Sequence, residues 1–224
     1  MIGIIIALQS EASALLNKVD ELNQIKLADK NAYTCKINGR DTVIAISGIG
    51  KVNAALTTQL VIDKFKVDFI LNFGTCGGLN DSVEIKNYYV VDKCCQYDFD
   101  LSKLDNVPVG YIQDYDRVYF PVCTDGLDAF PKATLASADK FTYQQSDVDL
   151  VNSMNCSVCD MEGGAIAQVC LSNDIPLVIA KGISDIHGSG THQEQFFANL
   201  KAVGQGFPEV IFKIINNFCQ QRKF

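Results

Sequence analysis

The stretch from Cys159 to Asp185 constrains the fold most: a helix, a short turn and a buried strand in fewer than thirty residues. Met161, Ala165, Val169 and Leu171 stand among small residues, so this helix can pack its backbone close against a sheet. Asn173 and Asp174 end it ahead of Pro176, because the residue before a proline is pushed out of the α region. The run Pro176-Leu177-Val178-Ile179-Ala180 has the length and β-branched content of a strand buried on both faces. Two acids flank the unit, Glu162 at the helix start and Asp185 just past the expected strand. In open α/β sheets ligands gather beyond the carboxyl ends of strands. Helix capping and dipole neutralisation account for the same two acids equally well.

The remainder of the chain repeats this alternation. Residues 2–8 form a continuous apolar strand, followed by a helix that Ser10 can cap, with Glu11 in its first turn. Residues 32–37 and 42–47 read as a hairpin through Asn38-Gly39, a dipeptide suited to two-residue turns. A glycine turn then opens an amphipathic helix from Lys51, and Val67 to Phe73 form a strand running into Gly74-Thr75-Cys76-Gly77-Gly78, read as a second glycine-rich turn. Residues 88–91 make another strand. Residues 92–132 show no clear period and read as loops and short strands, a surface suited to meeting another chain. A strand over 133–142 ends near Asp139 and Phe141, Gly188 to Thr191 form a flexible loop, and two helices (193–203 and 209–218) are separated by Gly204-Gln205-Gly206-Phe207-Pro208. With no repeat or linker, the pattern predicts one α/β domain over residues 1–224, a central mixed sheet flanked by helices.

Composition excludes several classes of function. A net charge of −7 argues against a nucleic-acid or anionic-membrane surface. No stretch approaches the roughly 18 uninterrupted apolar residues of a membrane span. The N-terminus lacks a basic leader and meets an acid at Glu11, so it reads as a strand and not as a signal peptide. The nine cysteines are odd in number, and Cys156 and Cys159 form the single C-x-x-C. Zinc needs a second ligand pair, so the cysteines read as small buried hydrophobes in a reducing compartment.

The glycine turn at Gly48-Ile49-Gly50-Lys51 is not a P-loop: its spacing is short, and Val52 stands where a magnesium-binding hydroxyl belongs. The missing third glycine also excludes a dinucleotide fingerprint, and with it a Rossmann dehydrogenase. The run from Gly74 to Gly78 lets backbone approach a ligand, with Thr75 supplying a hydroxyl. Singly, each turn is a tight connection. Together with Glu11, Glu162 and Asp185, each at a strand-end junction, they suggest one shared site.

Six segments occur in a characteristic order: G-I-I-I-A-L-Q-S-E-A at the start, S-G-I-G-K-V-N-A-A at 47–55, N-F-G-T-C-G-G-L at 72–79, S-A-D-K-F at 137–141, D-M-E-G-G-A-I-A at 160–167 and I-S-D at 183–185. In these the chain resembles the nucleoside phosphorylase/hydrolase superfamily, most of all the 5′-methylthioadenosine/S-adenosylhomocysteine nucleosidases. The resemblance implies hydrolysis of an N-ribosidic bond with release of adenine. Asp185 is then the general acid toward N7, its pKa raised from about 3.9 by burial. Glu11 is the base that polarises water, as in inverting glycosidases. Glu162 holds the ribose hydroxyls, Met161 packs on the sugar, Phe141 stacks on the purine and the Thr142 backbone reads its edge. Ser184 orients Asp185, Thr75 joins the water network, and Leu8, Ile49, Leu101 and Leu104 line an apolar pocket for the 5′-alkylthio group. The resemblance further implies a cytoplasmic homodimer that needs no cofactor or metal and whose one ligand is a small nucleoside.

Phosphorolysis requires cationic phosphate ligands. The three arginines, at 40, 117 and 222, lie outside every matching segment, and Glu11 would repel phosphate, so hydrolysis is favoured. Phosphorolysis, hydrolysis of another purine nucleoside such as futalosine, and a catalytically silent nucleoside-binding protein are the alternatives. The silent alternative rests on Lys181, which stands where the nucleosidases carry arginine and lacks that side chain's fork geometry. The segment 92–135 is also short for the family, and Thr75-Cys76 replaces its usual serine-alanine.

Overall fold

The computed structural model describes residues 1–142, 144–187 and 192–222, the side chains of 192 and 193 excepted. Among these residues a ten-stranded mixed sheet forms the centre. The N-terminal half contains β1 (Ile2–Ile6), α1 (Gln9–Leu16), β2 (Asp20–Leu27), β3 (Lys30–Ile37), β4 (Arg40–Ile46), α2 (Lys51–Phe65) and β5 (Phe69–Gly78). The C-terminal half contains β6 (Tyr88–Gln96), α3 (Ser102–Asp105), β7 (Phe120–Pro121), β8 (Lys132–Ser137), α4 (Gln145–Ser153), β9 (Val158–Asp160), α5 (Gly163–Ser172), β10 (Leu177–Ile186) and α6 (His192–Arg222).

The two faces of the sheet take alternate residues of its strands. Ile5, Val43, Ala45 and Ile70 pack with Ala54 and Val61 of α2 and Ile166 and Cys170 of α5. Ile4, Ile6, Ile44, Phe69 and Phe73 pack with Ala12 and Leu15 of α1 and the apolar face of α6. β5 is the pivot. Phe69 to Asn72 pair with β1, Ile70 to Gly78 pair in parallel with β10, and Gly77 and Gly78 pair with β9. Because β10 also pairs β6, β6 pairs β8 and β8 pairs β9, these five strands close into a ring.

Several sequence expectations require correction. The run from Gly74 to Gly78 is no turn; it continues β5, because β9 and β10 supply ladder partners on both of its edges. Asp185 lies within β10 and not beyond it, since that strand runs six residues past Ala180 along the extended β5. β2 has no counterpart among the sequence expectations: six of its eight residues are exposed and only Leu27 is buried, so its apolar signal is weak and it depends on β3 for its ladder. Residues 88–91 are the first part of a nine-residue strand, and the expected loop at Gly188 to Thr191 lies outside the described residues.

The break expected at Gly204–Pro208 does not occur: α6 runs continuously for 31 residues with Pro208 inside it. Val203, Phe207, Ile211, Ile214, Ile215 and Phe218 form one fully buried stripe. Phe207 packs edge-on against Phe73, ring centroids 4.0 Å apart, and the Tyr88 hydroxyl donates to the Val203 carbonyl at 2.5 Å in the turn Pro208 disturbs. Burial of such side chains, at about 1.5–3 kcal/mol each, outweighs the roughly 3 kcal/mol cost of an internal proline. Gly206 serves close approach, since a Cβ there would collide with the Tyr88 hydroxyl.

Candidate active site

Strand ends and the segments just beyond them enclose a cavity of about 530 Å³, within the size range of small-molecule sites. Leu8 follows β1, Ile49 follows β4, Thr75 to Gly77 come from β5, Phe141 and Thr142 follow β8, Cys159 and Asp160 end β9, and Ser184 and Asp185 lie near the end of β10.

Glu11 sits in the first turn of α1, only 3% exposed. Its Oε2 accepts the Leu8 amide at 3.1 Å, while Oε1 accepts the Thr75 amide at 2.8 Å and the Thr75 hydroxyl at 2.7 Å. This carboxylate approaches β5 so closely that a Cβ on Gly74 would lie 3.3 Å from its Oε1. Gly77, three residues along, plays the same part for Asp185, whose Oδ2 would lie 3.3 Å from an added Cβ. The glycine run is therefore what lets two carboxylates approach one strand.

Asp185 is 4% exposed and accepts the Ser184 hydroxyl at 2.6 Å on Oδ1. It occupies a β-bulge: Ile183 pairs with Cys76 and Asp185 with Gly77, leaving Ser184 as the extra residue. Bulges re-aim side chains in this way.

Glu162 is the N-cap residue of α5, yet its side chain does not cap that helix. Its Oε1 instead accepts the Gly50 amide at 2.8 Å, where φ is +96° at the mouth of α2. Asp160 does the capping, taking the Gly163 amide at 2.9 Å on Oδ2 and the Ser137 hydroxyl at 2.5 Å on Oδ1. The dipole explanation for an acid at this helix start thus belongs to Asp160. Burial, reinforced by the neighbouring Asp160 charge, pushes the Glu162 carboxyl up to about 7.

Behind them Lys181, 2% exposed, places Nζ 2.8 Å from Asp160 Oδ2. Burial alone would lower the ammonium's pKa; the carboxylates of Asp160 and Glu162 overcome this and hold it raised.

Phe141 is 38% exposed and meets Phe196 edge-on, centroids 6.2 Å apart. Thr142 is buried, its hydroxyl 2.6 Å from that of Tyr97. Of the twelve residues assigned to the site from sequence, ten line the cavity: Glu11, Asp185, Glu162, Met161, Phe141, Thr142, Ser184, Thr75, Ile49 and Leu8. Leu101 and Leu104 do not. They belong to the short α3 region, which carries them to the surface, where Leu104 is 77% exposed. Sequence reasoning missed Phe196 and Phe197, which close one side of the cavity, and Cys159 and Lys140 in its wall. Two adjacent aromatics in a polar helix start, Q-F-F-A-N, were the available signal. None of the three arginines lines the cavity.

A closed strand ring with buried carboxylates around a cavity of small-molecule size defines an α/β protein with an enzyme-like site. The family model of the phosphorylase superfamily matches residues 1–219, and the chain belongs to that superfamily. A 5′-methylthioadenosine/S-adenosylhomocysteine nucleosidase of Staphylococcus aureus is 30% identical over 228 residues, covering 96% of this chain and 99% of the relative. Among solved structures, the nucleosidase of the same description from Colwellia psychrerythraea, in complex with adenine, superposes with a TM-score of 0.88 at 26% identity, covering 96% and 94% of the two chains. Futalosine hydrolase of Helicobacter pylori superposes with a TM-score of 0.87 at 25% identity, covering 96% and 97%.

Proposed function

We propose that this chain is an N-glycosidase that hydrolyses 5′-methylthioadenosine, S-adenosylhomocysteine or both, releasing adenine. The observation that carries the reading is the placement of two buried carboxylates, one from α1 and one from β10, against β5 in the wall of one cavity. Glu11 abuts Gly74 and Thr75, and Asp185 abuts Gly77. Both carboxylates face the same cavity. Inverting glycosidases flank the scissile bond with an acid and a base in this way, leaving room for a water between them.

In this reading Asp185 delivers a proton to N7 of the leaving base as the C–N bond breaks. Glu11, held by Thr75 and the Leu8 amide, takes a proton from the water attacking the opposite face of the sugar. Ser184 orients Asp185 through its hydroxyl. Glu162 accepts the ribose hydroxyls, Met161 packs against the sugar, Phe141 stacks on the base and the Thr142 backbone meets its edge. Leu8 and Ile49, with Phe196 and Phe197, offer apolar surface to the 5′ substituent. Water is the acceptor, because Glu11 faces the attacking position and no arginine is there to hold phosphate.

The enzyme acts in nucleoside catabolism and methionine salvage, in the cytoplasm, as a homodimer. All nine cysteines are free thiols, as a reducing compartment requires, and no helix among the described residues is long and apolar enough to cross a membrane. Ile49 just ahead of α2 and Val52 and Leu56 within it expose 51, 78 and 46% of their surface, an apolar strip suited to a second copy. Its mass in solution tests this. The likeness to futalosine hydrolase favours futalosine as a second substrate. The deciding experiment assays base release from methylthioadenosine, adenosylhomocysteine, futalosine and inosine, with and without phosphate. Adenine release independent of phosphate, abolished in Asp185→Asn with substrate binding retained, is expected. Release that requires phosphate refutes hydrolysis.

A further inference from the structure

The bulge that aims Asp185 into the cavity needs support, because a bulge residue has no place in the ladder. Ser184 pairs with no residue of β5. Its carbonyl instead accepts the Asn199 side-chain amide at 2.8 Å, a partly buried contact. On the other side of Asp185, the Ile186 amide donates to Gln195 Oε1 at 3.3 Å. Gln195 and Asn199 are four residues apart on α6, so they share one helix face. Between them α6 carries Phe196 and Phe197 in the cavity wall. One helix turn thus holds the peptide groups on both sides of Asp185 and also forms the aromatic wall.

We propose that Asn199, assisted by Gln195, is a positioning residue for the proton donor: its grip on the Ser184 carbonyl sets the direction of the Asp185 carboxyl. The inference rests on the reading of Asp185 as general acid. Ser184 transmits the effect, since its hydroxyl donates to Asp185 and lies 3.1 Å from the Cys76 carbonyl, so rotation of the Ser184 peptide disturbs both contacts. A defect of this kind slows only the step that needs a proton on the leaving group.

The test compares two substrates on wild type, Asn199→Ala and the same-sized Asn199→Asp. One is methylthioadenosine; the other is a 4-nitrophenyl 5-methylthioriboside, whose phenolate departs without protonation. Asn199→Ala is expected to lower kcat on methylthioadenosine about tenfold or more, with KM within about threefold, and to change the rate on the activated substrate less than about threefold. Asn199→Asp, which loses the amide donor, is expected to show the same selective loss. The ratio of the two rates does not depend on how much of a variant is folded, so a poorly folding variant still gives an answer. An unchanged ratio, whether both rates fall or neither does, overturns the inference. Failure of wild type to release adenine would instead overturn the reading on which it rests.

Discussion

Replacing Lys181 by methionine tests the electrostatics beneath the site most directly. The side chain is 2% exposed and its Asp160 partner 1%, so the ammonium is the buried counter-ion of that carboxylate and of the neighbouring Glu162. Methionine keeps the approximate length and removes the charge. Breaking a buried pair from one side typically costs about 3–5 kcal/mol. The variant can escape the isolated charge by protonating a carboxyl. For a group of reference pKa about 3.9, that costs about 4 kcal/mol at pH 7 and about 1.5 kcal/mol at pH 5. The sign follows from linkage: the folded variant binds a proton that its unfolded chain does not, so its stability falls as pH rises above the unfolded value. Urea denaturation at the two pH values should therefore give a deficit of about 4 kcal/mol at pH 7, shrinking by about 2 kcal/mol or more at pH 5. For a domain of this size the larger deficit is a thermal shift of about 8–16 °C. A deficit below about 1 kcal/mol, or one equal at both pH values, would mean that Lys181 is not the counter-ion.

Two further outcomes follow from the geometry. Burial pushes the Glu162 carboxyl up from its ordinary value of 4.5 to about 7 in the folded chain. Its contribution to stability is greatest below the unfolded value and is lost as pH rises through about 7, a fall of about 3 kcal/mol that denaturant titration should show and Glu162→Gln should remove. Gly206→Ala should destabilise by about 1–3 kcal/mol despite alanine's better helix propensity, because the new methyl meets the Tyr88 ring; an equal or higher thermal midpoint would refute that packing.

Ten of the twelve residues that the resemblance assigns to the site line the cavity, and each lies in or directly after one of the six matching segments, whereas Leu101 and Leu104 lie in none. The class of fold was legible because buried strands and amphipathic helices announce themselves through period and length. Gly74 to Gly78 was misread because glycine signals a turn locally, and only the flanking strands turn that run into ladder. α6 was misread because glycine and proline carry local penalties, whereas the stripe from Val203 to Phe218 gathers its stabilisation from strands far away in sequence.

The sequence by itself determined which chemical groups exist and roughly where the strands that carry them end. Tertiary structure alone decided how those groups are used. The choice of Asp160 over Glu162 as the cap of α5, the seat of Lys181 behind both, and the hold of Asn199 on the Ser184 carbonyl all depend on distances between separate segments. Hydrogen bonds and ion pairs act over a few ångströms, and only the closed ring of β5, β6, β8, β9 and β10 brings those segments within that range.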